Sequence, residues 1–317
     1  MPRWTTDNIP SQDGKLAVVT GGNSGIGFET AVGLARAGAS VIIACRDAKK
    51  GGEALRLLRA DVAGAQVELA SLDLSSLKSV RSFSEQILSG PQSLDLLINN
   101  AGIMAIPRRQ TTADGFEMQL GVNHLGHFAL TGLVLPALLR AKAPRVVSVS
   151  SIAHRTGRIQ FDDLQSERSY GPWTAYGQSK LANLLFAFEL QRRGDAVAAH
   201  LMSLGAHPGY SATNLQTTGP STNGPSFTAG FMKLTNALMA QSAAMGALPT
   251  LYAATAPDVK PGGFYGPSGF MEMWGYPKPA VPASQATDSK AAAKLWEISE
   301  HLTGVKYEAF IERSTSK

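Results

Sequence analysis

The chain has 317 residues, 44% of them hydrophobic and 17% charged, with a formal net charge of +5, a balance that excludes a disordered or low-complexity protein. Its positive charge is scattered in pairs such as Lys49-Lys50, Arg108-Arg109 and Arg192-Arg193, with no basic stripe interleaved with aromatics, so a polyanionic small molecule, not nucleic acid, is the expected partner. Mean hydropathy is near zero, the N-terminal MPRWTTDNIPSQDGK is polar where a signal peptide is apolar, and the central apolar run LTGLVLPALL is short and contains Pro136, so the expectation is a cytoplasmic protein without a membrane anchor.

From Lys15 to about Gly209, β-rich runs alternate with segments of helical periodicity; LAVVT, SVIIAC, QVELASLD, LDLLINN, RVVSVSS and VAAHLMSL are the predicted strands. Their near-continuous apolarity predicts burial on both faces, as in a parallel sheet covered by helices. The first strand runs into TGGNSGIG, where Gly21 ends the strand and Gly25 and Gly27 open a helix. That helix, IGFETAVGLARAG, sets Phe28, Ala31, Leu34 and Ala35 at helical spacing and stops at Gly38. Strand, glycine turn and helix start in this order make a phosphate cradle, because the backbone approaches an anion closely and free N–H groups point at it.

The second predicted strand ends in ACRD. Cys45, the single cysteine, lies in the apolar run and forms no internal disulfide, which fits a reducing compartment and a packing role. Arg46 stands where a dinucleotide fold chooses its adenosine ribose, and its guanidinium suits adenine stacking and a 2′-phosphate, favouring NADP. Asp47 is the rival: a register shift of one residue would make it the ribose acid and favour NAD.

Further along, the neighbouring strand ends in NNAG, Asn123 lies in the helix that follows, and VVSVSS puts Ser150 and Ser151 at the carboxyl end of a central strand. That edge is where open α/β sheets bind ligands. In YGQSKLANLLFAFELQRR, Tyr176 and Lys180 lie one helical turn apart on one face, a spacing in which an ammonium stabilises a phenolate and lowers its pKa. His124 and His127 also share a helix, but a catalytic metal needs a third ligand and none is evident, so no metal is expected. His207, before Pro208-Gly209, reads as support for its loop, and packing is the favoured reading of His154.

After Gly209 the composition turns to Gly, Pro, Ser and Met, with a helix predicted from Phe227 to Ala254 and a break near Gly246 or Pro249. The aromatic and Met content of this region predicts a lid, with FMKLTNALMA as core or lid lining. TDSKAAAKLWEISEHLTG reads as a packed terminal helix stopped by Gly304.

TGGNSGIG, NNAG, Asn123, VSS, YGQSK and HPGYSAT, in this order, resemble the short-chain dehydrogenase/reductase family. ACRD, NHLGHF and YGQSKLANLLF are most similar to its retinol dehydrogenase and protochlorophyllide reductase branch, which is typically NADP-dependent. The resemblance implies an α/β fold: a single Rossmann-type doubly wound parallel sheet with helices on both faces and a C-terminal substrate lid. The expected organisation is a tail at 1–14, the NADP-binding and catalytic core at 15–215, the lid at 216–286 within the same domain, and a C-terminal helix and tail at 287–317.

By the same resemblance, Tyr176 passes a proton to or from the substrate oxygen, and Lys180 holds the nicotinamide ribose and lowers the tyrosine pKa. Ser151 hydrogen-bonds the carbonyl oxygen, and Asn123 positions a water in a proton relay. Gly21, Asn23, Ser24, Gly25, Ile26 and Gly27 are implied at phosphate and ribose, and Asp73 and Leu74 at the adenine. Asn100, Ala101 and Gly102 are implied on the adenosine and ribose side, and Pro208, Gly209 and Thr213 at the nicotinamide amide and phosphates. Ser151 is chosen over Ser150 by motif register. The interval from Ser151 to Tyr176 is longer than in many members, so HRTGRIQFDDLQSERSYGPW is expected to be an insertion at the substrate mouth.

The implied activity is NADP(H)-dependent interconversion of an alcohol and an aldehyde or ketone on a lipophilic small molecule. Reduction of a C=C bond, or NADP(H) sensing by a catalytically weak binding protein, are the alternatives. A homodimer or homotetramer through the helices after the fourth and fifth strands is implied, unless the longer C-terminal region blocks an interface.

Overall fold

The computed structural model describes residues 3–90, 93–210 and 241–315. Six strands follow the predicted order: β1 Leu16–Thr20, β2 Ser40–Cys45, β3 Val67–Ser71, β4 Leu96–Asn99, β5 Arg145–Val149 and β6 Met202–Ala206. Two more, β7 Phe264–Pro267 and β8 Pro277–Pro279, extend the sheet. The strand order is β3-β2-β1-β4-β5-β6-β7-β8, with β7 and β8 the antiparallel pair. The order reverses between β1 and β4, which opens a crevice at their carboxyl ends.

The helices are α1 Gly25–Arg36, α2 Ala48–Asp61, α3 Leu77–Ser89, α4 Met118–Leu139, α5 Pro172–Ala196, α6 Ala243–Thr255, α7 Ser289–Thr303 and α8 Glu308–Thr315. The apolar strands serve two cores. In β1, Ala17 and Val19 join the core under α1, α2 and α6, while Val18 joins the core under α3, α4 and α5. Alternation of side chains across a strand therefore demands apolar residues on both faces of β1, as Ala17, Val18 and Val19 supply. By length and composition α4 could cross a membrane, but 78% of its apolar window is buried in the protein, the pattern of a core helix.

The structure departs from the sequence reading in two places. Of VAAHLMSL, only the end is strand: α5 runs to Ala196, Ala198 is left-handed at φ 50°, and β6 begins at Met202. Ala199 and Leu201 are apolar because they are buried beside this turn, not because they pair in the sheet. The second departure lies within 216–286 and concerns the predicted helix with a break near Gly246 or Pro249. Thr213, FMKLTNALMA and the first part of the predicted helix lie outside the described residues. The rest of that helix is α6, uninterrupted at Gly246 and Pro249, and it packs on α1 with Leu251 directly over Gly33. With β7 in the sheet, this part is core; the connection from β7 to β8 is what reaches the carboxyl edge.

Asp288 caps α7, its carboxylate accepting from Lys290 and Ala291 N–H at 2.9 and 3.0 Å. From α7, Trp296 inserts between Phe128 of α4, Phe186 of α5 and Tyr307, with ring centroids 5.0, 5.9 and 4.3 Å away. The Arg193 guanidinium covers it at 4.6 Å. Residues of α7 and α8 thus fill part of the α4 and α5 surface through which subunit pairing was expected. Trp296→Ala is expected to destabilise the fold by about 3–5 kcal/mol. The measurement is a fall in the urea midpoint at unchanged m value, and an unmoved midpoint would show that the ring is no anchor.

Candidate active site

Every strand that the sequence reading connects to a ligand ends at the carboxyl edge of the sheet. After β1, Gly21 takes φ 65°, with Ala101 Cα 3.0 Å from the place a Cβ would occupy. A Cβ on Gly27 would overlap the Asn100 amide and the Gly21 carbonyl. These two glycines let the β1 turn nest against the NNAG turn, where Asn100 Nδ2 donates to Thr20 O at 2.8 Å. Ser24 stands at the N-cap of α1 without bonding its hydroxyl back to the helix. The first-turn N–H groups, including that of buried Ile26, are thereby left to an anion.

Asn23, Ser24 and Gly25 line a cleft between α1 and α2, with Lys50 and Glu53 on its far side. Arg46 directly follows β2 and is exposed. Asp47 instead turns its carboxylate into α2 as the N-cap, Oδ1 accepting from Lys50 N–H at 3.0 Å. The Asp47 carboxylate is thus engaged by a helix start, while the Arg46 side chain is exposed. In the sequence Lys50 stood out only as half of the pair Lys49-Lys50. After β3, Asp73 closes its own turn, Oδ1 accepting from Ser75 N–H and Oγ–H at 2.9 and 2.6 Å. Leu74 is buried against Gly126 of α4.

The catalytic candidates come from α4, α5 and the end of β5. Tyr176 and Lys180 are buried, one turn apart on α5, with Lys180 Nζ 5.8 Å from the Tyr176 ring centroid. Ser151 is N-cap of a short turn, Ile152–Arg155, and its hydroxyl hydrogen-bonds the Tyr176 phenol. Ser150, its neighbour, points the other way and donates to Lys180 O at 2.7 Å. Consecutive residues at a strand end face opposite sides, so one serine meets the tyrosine and the other the helix backbone.

Electrostatics here differ from the sequence expectation. Burial raises the Tyr176 pKa above its ordinary value, and the Ser151 hydrogen bond opposes this only in part. Burial lowers Lys180 to about 8, and its Nζ donates to Val149 O at 3.1 Å. Burial disfavours the charged form of both groups, the phenolate and the ammonium.

Asn123 lies in a π-helical turn, Gly121–Leu125, within α4; such widened turns gather at functional sites. Its side chain clamps the loop after β4: Oδ1 accepts from Ile103 N–H at 2.8 Å, and Nδ2 donates to Ile103 O and Ser179 Oγ, both at 2.9 Å. Gly102 lies against Asn123 Oδ1 and Lys180 Nζ.

His127 joins these parts, a role that its sequence spacing did not reveal. Its Nδ1 is 3.0 Å from the Asn123 carbonyl, which can only accept, so Nδ1 carries the hydrogen. Nε2 then accepts from the Thr20 hydroxyl at 2.9 Å, a shorter contact than the 3.2 Å from that hydroxyl to Ile98 O. The same Thr20 oxygen accepts from Asn100 and Ala101 N–H, both at 2.9 Å. Burial, aided by the Lys180 charge, pushes His127 down to about 4, so it is neutral near pH 7. His124 bonds instead to Ser299 of α7 at 2.9 Å. Among the described residues, no three potential metal ligands gather.

The segment before Tyr176 folds onto the loop after β4: Tyr170 donates to Ile106 O at 2.7 Å, and Arg109 donates to Gln165 O at 2.9 Å. Trp173, 63% exposed, stands edge-on to Tyr176 with centroids 6.0 Å apart. Pro208 and Gly209 follow β6 at the same edge.

A family model described as short chain dehydrogenase matches residues 15–222. The chain belongs to the short-chain dehydrogenase family. It is 43% identical to retinol dehydrogenase 12 of Mus musculus, over 93% of this chain and 88% of that protein. It is 41% identical to retinol dehydrogenase 13 of Homo sapiens, over 92% and 86%. An uncharacterized protein from Mycobacterium Paratuberculosis superposes with a TM-score of 0.79 at 45% identity, covering 96% of this chain and 99% of that one. RhlG of Pseudomonas aeruginosa, solved as an active-site complex with NADP, superposes with a TM-score of 0.60 at 25% identity, covering 80% and 94%.

This short-chain dehydrogenase is thus an oxidoreductase for alcohol and carbonyl groups, of the retinol dehydrogenase branch and with a nicotinamide cofactor. Its residues fit that group. The β1 turn has no side chain where Gly21 and Gly27 pass closest to their neighbours, α1 offers uncapped N–H groups, and Arg46 offers a guanidinium at the end of β2.

Proposed function

We propose that this enzyme is NADP(H)-dependent, interconverts an alcohol and an aldehyde or ketone on a lipophilic substrate, and uses Tyr176 as general acid and base. The observation that carries this reading is the buried Tyr176 phenol, hydrogen-bonded to Ser151 with Lys180 one turn below. A nicotinamide cofactor, when bound, supplies or accepts the hydride. In the reducing direction the Ser151 hydroxyl and the Tyr176 phenol hold the carbonyl oxygen, and Tyr176 Oη gives it the proton as the alcohol forms. Burial keeps the phenol protonated at neutral pH, so a donor is present before substrate arrives. Lys180 keeps a positive charge beside it and supports the phenolate left after transfer. The Asn123 side chain, committed to Ile103 and Ser179, holds the loop after β4 in place beside Lys180.

Preference for NADP is supported by the exposed Arg46 and by the capping role of Asp47. A lipophilic substrate is supported by Trp173 beside the tyrosine and by the relatives named for retinol. In Arg46→Ala, kcat/KM for NADPH is expected to fall roughly 10- to 100-fold, the worth of a charged hydrogen bond, with little change for NADH. Initial rates with both cofactors and a panel of aldehydes and ketones provide the measurement. A parent enzyme that prefers NADH would overturn the NADP assignment.

A further inference from the structure

We propose that Glu272, on the connection from β7 to β8, is a positioning residue that holds the Pro208–Gly209 turn and the Ser151 turn together with one carboxylate. The inference rests on the reading above, in which those two turns flank the reacting groups.

The tie to the first turn passes through His207, whose side chain is fully buried. His207 Nδ1 accepts from Gly209 N–H at 3.3 Å, so the hydrogen sits on Nε2, which donates to Glu272 Oε2 at 3.0 Å. Carboxylate, imidazole and backbone N–H form a chain in which each partner orients the next, as carboxylates orient histidines elsewhere. Room for the ring comes from Gly266 of β7, where a Cβ would overlap it. The hairpin also lies directly on the turn: Tyr210 N–H donates to Met273 O at 2.7 Å, and Gly209, at φ 66°, has no side chain to collide with that carbonyl.

The tie to the second turn is shorter. Arg155 Nη2 lies 2.9 Å from the same Oε2. Arg155 ends the Ile152–Arg155 turn that Ser151 caps, and His154 binds the Ser151 carbonyl through Nδ1 at 2.6 Å. Gln285 Nε2 adds a bond to Arg155 O at 2.8 Å. The serine that meets Tyr176 is therefore mounted on a turn whose far end is fixed by Glu272.

Backbone strain marks the same residue. Met271 and Glu272 are consecutive non-glycine residues in the left-handed region, at φ 51° and 59°. Such residues persist when their surroundings over-determine them, and they cluster at functional sites. The His207 hydrogen bond and then the Arg155 charge hold the Glu272 carboxyl down to about 2, so it stays ionised through the working range.

The test is kinetics and binding on the full chain carrying Glu272→Gln, Glu272→Asp and Arg155→Met. Glu272→Gln is expected to lower kcat for carbonyl reduction roughly 10- to 100-fold, the effect of misplacing reacting groups by about an ångström. Affinity for 2′,5′-ADP, which occupies only the adenosine end of an NADP site, should stay at the parent value. Glu272→Asp should recover part of kcat, and Arg155→Met should lose less than Glu272→Gln because one tie survives. Parent kcat in Glu272→Gln overturns the proposal, and so does equal loss of 2′,5′-ADP affinity, which marks general damage. If Glu272→Gln does not fold, Arg155→Met decides, and parent kcat there overturns the proposal. A parent enzyme that neither binds 2′,5′-ADP nor oxidises NADPH would instead overturn the functional reading beneath it.

Discussion

Replacing Tyr176 with Phe is expected to lower carbonyl reduction by roughly 10²- to 10⁴-fold, the usual worth of a positioned acid, with NADPH affinity within about twofold of the parent. The ring is buried and meets Trp173 edge-on, contacts that Phe preserves. Loss of the phenol orphans no essential partner, because the Ser151 hydroxyl still accepts from Ala153 N–H at 3.2 Å. What disappears is the proton donor, and the loss should appear in kcat more than in the KM of the cofactor. Steady-state rates combined with a fluorescence titration of NADPH separate the two. A variant with the parent's kcat would remove Tyr176 from the chemistry.

Replacing Lys180 with Met should have a comparable effect on turnover and the opposite effect on folding. Its amine is buried, and burial brings it from 10.5 to about 8. The linkage has a definite sign. Between about 8 and 10.5 the unfolded chain binds a proton that the folded chain does not, so folded stability rises with pH through that window. Below about 8 both states are protonated and the folded state bears the full burden of the buried charge. Met removes that burden at similar length, and Val149 O still accepts from Asn183 Nδ2 at 3.0 Å. Lys180→Met is therefore expected to be more stable than the parent by roughly 1–3 kcal/mol at neutral pH, with the advantage shrinking toward pH 10.5. Urea unfolding of both proteins without added cofactor, at neutral and alkaline pH, tests it; equal stability at neutral pH would mean that the ammonium is well solvated in the fold. Turnover should fall roughly 10²-fold or more, since the charge supporting the phenolate is gone. Stability and activity would then be traded at a single buried side chain.

Much of the site was legible because its signals are local. A glycine turn between an apolar strand and an amphipathic helix, and Tyr176 and Lys180 one turn apart, are patterns that backbone periodicity carries along the chain. Arg46 was preferred and Asp47 kept as its rival, because a strand end leaves one residue of register open; in the fold Asp47 caps α2 by accepting from Lys50 N–H. Ser150 and Ser151 look alike in sequence for the same reason, and the sheet's alternation sends one to Lys180 O and the other to the phenol.

Two features of the C-terminal region were not predicted: Phe264–Pro267 is a strand, and α6 runs unbroken in the core beside α1. Short strands next to prolines carry little periodicity, and their place is set by β6 and α1, far away in sequence. His207 was expected to support its loop, and it accepts from Gly209 N–H there; its tie to Glu272 and that of His127 to Thr20 were not visible, since those partners are brought to them only by the sheet edge.

Residue order alone therefore decided the class of fold, the nucleotide turn, and the phenol with its lysine, because each depends on neighbours within a strand or a helical turn. Tertiary structure decided which serine meets the phenol, how burial displaces both pKa values, and how one carboxylate bridges two turns. Those outcomes depend on desolvation and on contacts between distant segments, which no local spacing encodes.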